Sequence, residues 1–292
     1  MSAADVRVCA VPSAVLGEGP VWDARAGRLH WVDADQKKLF TYDPQSGASD
    51  AVNLPAYPGC YAMRAKGGMI LAYRNQLALI DDDITAAQVI ETPGVDFAVE
   101  RFNDGACDRR GRFWLGTMDR KLKEPVGSLF RFDPDQTLHK VESNLVCSNG
   151  IAFSPDDRTM YHTDTGAGKI YAYHYDIATG TASERRIFVD FAGQTGRPDG
   201  CTIDAEGHLW VAQIGGGMVV RIDPSGRRVR EVKLPTARPT SAMFGGRDLR
   251  TLYVTTMKFG LTPEQAGEQP DAGGLFAIEV DVPGLPEPTF AG

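Results

Sequence analysis

The sequence predicts an all-β fold, a six-bladed β-propeller of four-stranded blades around a central channel. Three observations carry that expectation. An acidic or amide residue followed at once by Gly opens a short apolar strand at Glu18-Gly19, Asp104-Gly105, Asn149-Gly150 and Asp199-Gly200. With the related stretches YPGCYAM near Gly59 and TSAMFGG near Ser241, the openings recur every 40 to 50 residues or so, the period of a propeller blade. Between them almost nothing reads as helical. The best exception is LTPEQAGEQ, Leu261 to Gln269, which reads as a short turn or loop insertion in the last blade.

Each blade can be read in turn. The first runs GPVWDARAGRLHWVD, two strands around a polar turn, and ACDRRGRFWLGT and CTIDAEGHLWVAQ repeat that plan in the third and fifth. The fourth shows all four strands: GIAFS, TMYHTD, KIYAYHYD and ERRIFVDF. These segments are rich in β-branched and aromatic residues and are bounded by Gly, Asp-Pro or Ser-Pro turns. YDPQSG, FDPD, YDIATG and IDPSG read as hairpin turns after the third strand, where Asp and Ser bond the backbone locally. Propellers commonly close by joining their two chain ends, and VRVCAV, Val6 to Val11, is a plausible closing strand for the last blade. With no linker and no break in composition, residues 1–292 read as one domain.

Composition narrows the function. The 292 residues include 42% hydrophobic types and carry a net charge of -7. No segment has the apolar length of a membrane span. The acidic balance argues against nucleic acid or an anionic membrane as partner, while leaving room for an acidic cleft that holds a cation. The N-terminal MSAADVRVCAVPSAV lacks the basic and apolar regions of a secretory signal. Five widely spaced cysteines without CxxC fit reduced thiols. Together these point to a cytoplasmic protein; a monomer or weak homo-oligomer is expected, though the sequence itself does not fix the oligomeric state.

The first strand of each propeller blade lines the channel, so residues that open it gather at one mouth. Glu18, Asp104, Asn149 and Asp199 are expected there, offering the carboxylate and amide oxygens that hard divalent cations prefer. Asp-Gly and Asn-Gly also make ordinary hairpin turns. Four in one register favour a metal site. No His or Cys occupies these positions, which counts against tetrahedral structural zinc.

The ordered set LGEGPVW (16–22), RFNDG (101–105), GTM (116–118), SNGIAFSPD (148–156), RPDGCTIDAEGHLWVA (197–212), FGG (244–246) and AGGLFAI (272–278) resembles the senescence-marker-protein/gluconolactonase/regucalcin family of sugar lactonases. The resemblance covers nearly the whole chain. It implies a propeller holding one divalent cation (calcium, zinc, manganese, magnesium or iron(II)) on Glu18, Asn149 and Asp199. It also implies substrate contacts at Arg101 and Asn103. Register alone selects Asp104; the family pattern moves the contact to Asn103 and leaves Asp104 in support. Lys121 stands where the animal lactonases carry a Glu three residues after GTM, so a cationic donor replaces an acceptor and the sugar preference does not carry over. Ile214-Gly215-Gly216 similarly lacks an Asn that some relatives place before the Gly pair.

The implied reaction is hydrolysis of an aldonolactone to its aldonic acid. The cation would polarise the carbonyl, Asp199 would act as general base, and Arg101 and Asn103 would orient the hydroxyls. A phosphotriesterase or aryl esterase on the same metal site is one alternative, and a non-catalytic calcium-binding propeller is another. His30, His162 and His208 sit in second-strand contexts and read as structural. Ser154 reads as a turn residue, since there is no G-x-S-x-G elbow. Cys147 and Cys201 adjoin ligand positions as small buried hydrophobes, and Trp22, Trp31, Trp114 and Trp210 read as packing residues.

Overall fold

The computed structural model describes residues 5–9, 12–81, 83–84 and 86–292. Residues 1–4 of the N-terminal stretch, and Ala10 and Val11 at the end of the expected closing strand, lie outside the described residues. The described residues form six four-stranded antiparallel sheets and one short helix. Blade number, strands per blade and their order along the chain are those of a six-bladed β-propeller.

Two compact units divide the strands: Met1–Asn53 with Gly193–Glu287, and Leu54–Ala192 with Pro288–Gly292. In the first, one sheet runs Gly17–Asp23, Arg28–Asp33, Lys38–Tyr42, Ser49–Asn53. A second runs Arg197–Ile203, Leu209–Ile214, Met218–Ile222, Arg228–Lys233. The third, Pro239–Gly245, Thr251–Thr256 and Phe276–Glu279, takes its outer strand from the other end of the chain. Val6–Val8 pairs antiparallel with that sheet, Val6 opposite Ile278 and Val8 opposite Phe276, so the closing strand falls where it was expected.

The second unit holds the sheets that begin with Pro58–Met63, Glu100–Cys107 and Ser148–Phe153. The chain's last residues return to it. Phe290 is fully buried among Phe113, Phe130 and Phe132, and Arg64 Nε donates to the Gly292 carbonyl at 3.1 Å.

Burial falls off across each sheet in both units. Every residue of Ser148–Phe153 and Pro239–Gly245 is buried, whereas Thr181–Asp190 contains no buried residue. The middle strands, such as Met69–Tyr73 and Met218–Ile222, are largely apolar for that reason, whereas first strands such as Glu100–Cys107 also carry polar residues. The four tryptophans pack as expected: Trp31 stacks on Phe40 at 5.0 Å, and Trp114 meets Tyr175 edge-on at 5.8 Å. The third-strand turns also hold, with Asp43, Asp176 and Asp223 accepting from the N–H groups of Gln45, Ala178 and Ser225 at 2.9 Å each. LTPEQ becomes a capped helical turn, Pro263–Glu268, in which Thr262 and Gln265 bond each other's backbone reciprocally.

A regularity not read from the sequence sits at the strand openings. In all six sheets the pairing of first to second strand slips at the same place: Glu18/Val21, Pro58/Cys60, Phe102/Gly105, Asn149/Ile151, Pro198/Cys201 and Pro239/Ser241. The acid-Gly and amide-Gly pairs are β-bulges, which re-aim a side chain out of the ladder. Two of them show different reasons for Gly. Gly150 adopts φ 39°, and a Cβ on Gly200 would stand 2.2 Å from Ser241 Oγ.

Candidate functional site

In the Leu54–Ala192 unit, the structure joins Arg101, Asn103, Asp104 and Asn149 through one hydrogen-bond network. Arg101 Nη1 donates to the Asn103 Oδ1 at 3.0 Å and to the Phe102 carbonyl at 2.9 Å. Asn103 Nδ2 reaches across to the Ser148 carbonyl at 3.0 Å, fixing the segment that precedes Asn149. Asn149 Nδ2 donates to Thr165 Oγ1 at 3.0 Å, which sets the amide plane and leaves the carbonyl oxygen at its opposite end. Asp104 accepts from Gly105 N and Gly150 N, both at 2.8 Å, so it clamps the Asn149 bulge. Burial pushes the Asp104 carboxyl up, against the two N–H groups that favour its charged form.

The backbone before Asn149 is tied from a second side. Asp164, at the end of the second strand, accepts from Val146 N at 3.1 Å and Cys147 N at 3.0 Å. Ser148 Oγ and His162 Nε2 lie 2.7 Å apart. Gly116, of the GTM stretch, makes room for that pair, since a Cβ there would meet Ser148 Oγ at 1.8 Å. Desolvation pushes the fully buried His162 down to about 3, so its ring is neutral at physiological pH. Cys147 is buried, and its Sγ faces the amide nitrogens of Asn103 at 3.6 Å and Asn149 at 3.9 Å.

The Met1–Asn53 with Gly193–Glu287 unit carries the two carboxylates. Glu18 is half-buried and Asp199 is 4% exposed, each at the bulge of its first strand. Asp33 repeats the role of Asp164, accepting from Val15 N at 2.7 Å and Leu16 N at 3.2 Å just before Glu18. The Gly17 carbonyl accepts from Thr240 Oγ1 at 2.6 Å. Two residues that open first strands are thus held by one device in two sheets: a buried Asp closing the second strand grips the N–H groups that lead into the first.

Lys121 is exposed, on a turn whose N–H groups at Lys121, Lys123 and Glu124 point at the Asp119 carboxylate. Those N–H groups, Glu124's foremost, hold Asp119 below the usual carboxylate range. No hydrogen bond joins the Lys121 ammonium to Arg101, Asn103 or Asn149 among the described residues. Sequence reasoning missed Thr165, Ser148 and Asp164. Pairing the end of the second strand with the start of the first would have found them, since Ser148 lies opposite Asp164 and Asn149 opposite Thr163.

Carboxylate and amide oxygens, the types that Glu18, Asp199 and Asn149 carry, are those that hard divalent cations prefer, and the Asn149 amide nitrogen is engaged by Thr165. Among the described residues no group of three or more His, Cys, Asp or Glu side chains is placed to hold a metal. No helix among them is long and apolar enough to cross a membrane.

Six four-stranded antiparallel blades, each with a bulge where its first strand opens, define a six-bladed β-propeller. The chain belongs to the SMP-30/Gluconolactonase/LRE-like family, whose model matches residues 16–258. It is 39% identical to a 6-deoxy-6-sulfogluconolactonase of Pseudomonas putida over 95% of this chain and 96% of that one. It is 37% identical to regucalcin of Xenopus laevis over 95% of each. Among solved structures, a calcium-binding protein, regucalcin, from Agrobacterium tumefaciens matches with a TM-score of 0.92 at 28% identity, covering 100% of both chains.

Proposed function

We propose that the protein hydrolyses a sugar lactone, an aldonolactone, to the aldonic acid with the help of one divalent cation held by Glu18, Asn149 and Asp199. The observation that carries the reading is the family match together with a full-length relative named for lactone hydrolysis. When bound, the cation supplies Lewis-acid polarisation of the lactone carbonyl.

The remaining work falls to the chain's own side chains. Asp199 takes a proton from the water that attacks the carbonyl carbon, and returns it to the ring oxygen as the C–O bond breaks. Its burial keeps bulk water from competing for that proton. Arg101 and Asn103 hold the sugar hydroxyls, and the Arg101 guanidinium offsets negative charge developing on the carbonyl oxygen. Their mutual hydrogen bond sets both before substrate arrives, so little ordering is left to the binding step. Asp104 acts through Gly150, holding the bulge on which Asn149 rides.

Acid release from gluconolactone, xylonolactone, arabinonolactone and galactonolactone, after chelation and after adding back single metals, tests the reading. Metal-restored turnover of one lactone above its spontaneous rate is expected, and Asp199→Ala should abolish it. Full activity in Asp199→Ala would remove that residue from the mechanism. The calcium-binding reading is favoured by the regucalcin relatives. Calcium binding with flat traces for every lactone would establish it instead, while turnover of a phosphotriester or aryl ester alone would point to the other hydrolase. The reading takes the chain as one domain, cytoplasmic, and monomeric or weakly self-associating.

A further inference from the structure

Two guanidinium groups share one aromatic ring in the Leu54–Ala192 unit. Arg74 Cζ lies 5.6 Å and Arg101 Cζ 5.3 Å from the centroid of the Tyr57 ring. The backbone holds them there: Arg74 N donates to the Tyr57 carbonyl at 2.7 Å, and the Arg74 carbonyl accepts from Phe102 N at 3.2 Å, beside Arg101. Arg101 Nη1 is engaged by Asn103 and Phe102. Arg74 Nε is buried and has no acceptor.

Several other arginines differ from this pair in their charge partners. The chain has 38 acidic against 31 basic residues, and Arg64, Arg109, Arg112, Arg131 and Arg221 each lie against an Asp. Arg74 and Arg101 meet no carboxylate among the described residues. The face of Tyr57 attracts a cation but leaves the guanidinium N–H edge unsatisfied. That edge matches the planar, two-oxygen face of a carboxylate or sulfonate.

We propose that Arg74, held against Tyr57 beside Arg101, binds an anionic group carried by the substrate away from its lactone carbonyl. The preferred substrate is then an acidic aldonolactone, bearing a carboxylate or a sulfonate. This rests on the lactonase reading, because it names the substrate class of that site. Arg101 serves both neutral and acidic sugars through its hydroxyl contacts, whereas Arg74 discriminates between them. Arg74 was not singled out by sequence, since its neighbourhood, AYRNQLAL, reads as a plain hairpin.

Calorimetry with three sugars that are not lactones separates this proposal from the activity it rests on. The metal-loaded protein should bind D-glucuronate or 6-deoxy-6-sulfo-D-glucose about tenfold more tightly than D-glucose, the scale of a hydrogen bond to a charged group. Which acid binds better identifies the group. Arg74→Met should lower that acid-to-neutral ratio by about tenfold, and Arg74→Lys should restore part of it. Raising salt should weaken the acids more than D-glucose in the unaltered protein, a readout that stands if Arg74→Met fails to fold. Equal affinity for acids and D-glucose, or an unchanged ratio in folded Arg74→Met, overturns the proposal. An Arg74-dependent acid preference without turnover of any lactone would sink the lactonase reading and leave the anion site standing. Lactone turnover without acid preference would do the reverse.

Discussion

Thr165 and His162 show how much of the site depends on residues that touch no substrate. Thr165 Oγ1 fixes the amide of Asn149; in Thr165→Val that nitrogen loses its acceptor and the amide can rotate. We expect cation affinity to fall about tenfold, the usual cost of losing such a supporting bond, with calcium titration as the check and little change in melting temperature. His162 makes a different prediction. Its folded pKa is about 3 against 6.5 unfolded, so between those values the unfolded chain binds the extra proton. Stability from this group is whole above pH 6.5 and declines as pH falls toward 3, by a few kcal/mol at most on the scale of about 1.4 kcal/mol per pKa unit. His162→Gln, which can keep a bond to Ser148, should flatten the fall in melting temperature between about pH 6.5 and 4. An unchanged slope would show that other groups carry it. His162 was legible as a structural second-strand residue, but its bond to Ser148 and the role of Thr165 were not, because both arise from cross-strand pairing, which a linear reading assigns only once register is known.

The recurrent element is a bulge, and here the sequence spoke clearly but left the backbone open. The acid-Gly and amide-Gly repeats located the openings, and hairpin turns were their ordinary alternative, whereas the ladder in fact slips within a strand. Composition cannot separate the two, because both need Gly. Ser241 opposite Gly200 supplies a test. Gly200→Ala places a methyl 2.2 Å from Ser241 Oγ, and overpacking of this kind costs about 1–3 kcal/mol. Ser241→Gly in the same chain should recover part of that in urea unfolding; no recovery would mean that the strain lies in the backbone. A second element appears once in each unit. Asp108 accepts from Trp114 Nε1 at 3.1 Å and Tyr175 Oη at 2.6 Å, with Arg112 at 3.1 Å. Asp204 accepts from Trp210 Nε1 at 2.9 Å and Arg221 Nε at 2.7 Å. Both carboxylates are fully buried. Asp108→Ala removes the nearer of the two carboxylates at Arg112 and leaves Trp114 Nε1 and Tyr175 Oη without this acceptor, and should destabilise by about 3–5 kcal/mol, measurable as a lowered denaturation midpoint. The D-x5-W spacing was visible in ACDRRGRFW and TIDAEGHLW, but the tryptophans were read for packing alone and their N–H groups were overlooked.

Fold class, blade number and the closing strand were legible because they are written in period and repeated in every copy. The C-terminal return of Phe290 was not, since its tail has no periodicity and acts by filling a gap. Removing residues 1–8 should lower the melting temperature and promote self-association, visible by size-exclusion chromatography, because the strand Phe276–Glu279 would be left with an open edge. A truncated chain that stays as stable and as dispersed as the full one would show that the outer strand is dispensable. The same pairing has a consequence for synthesis. Ser13, just beyond that strand, bonds the Ala272 carbonyl across 259 residues. At the ribosome's pace, roughly 5–20 residues per second, the N-terminal strand waits about 10–50 s for its partner to be made. Through that interval the strand Val6–Val8 has been made but its partner Phe276–Glu279 has not.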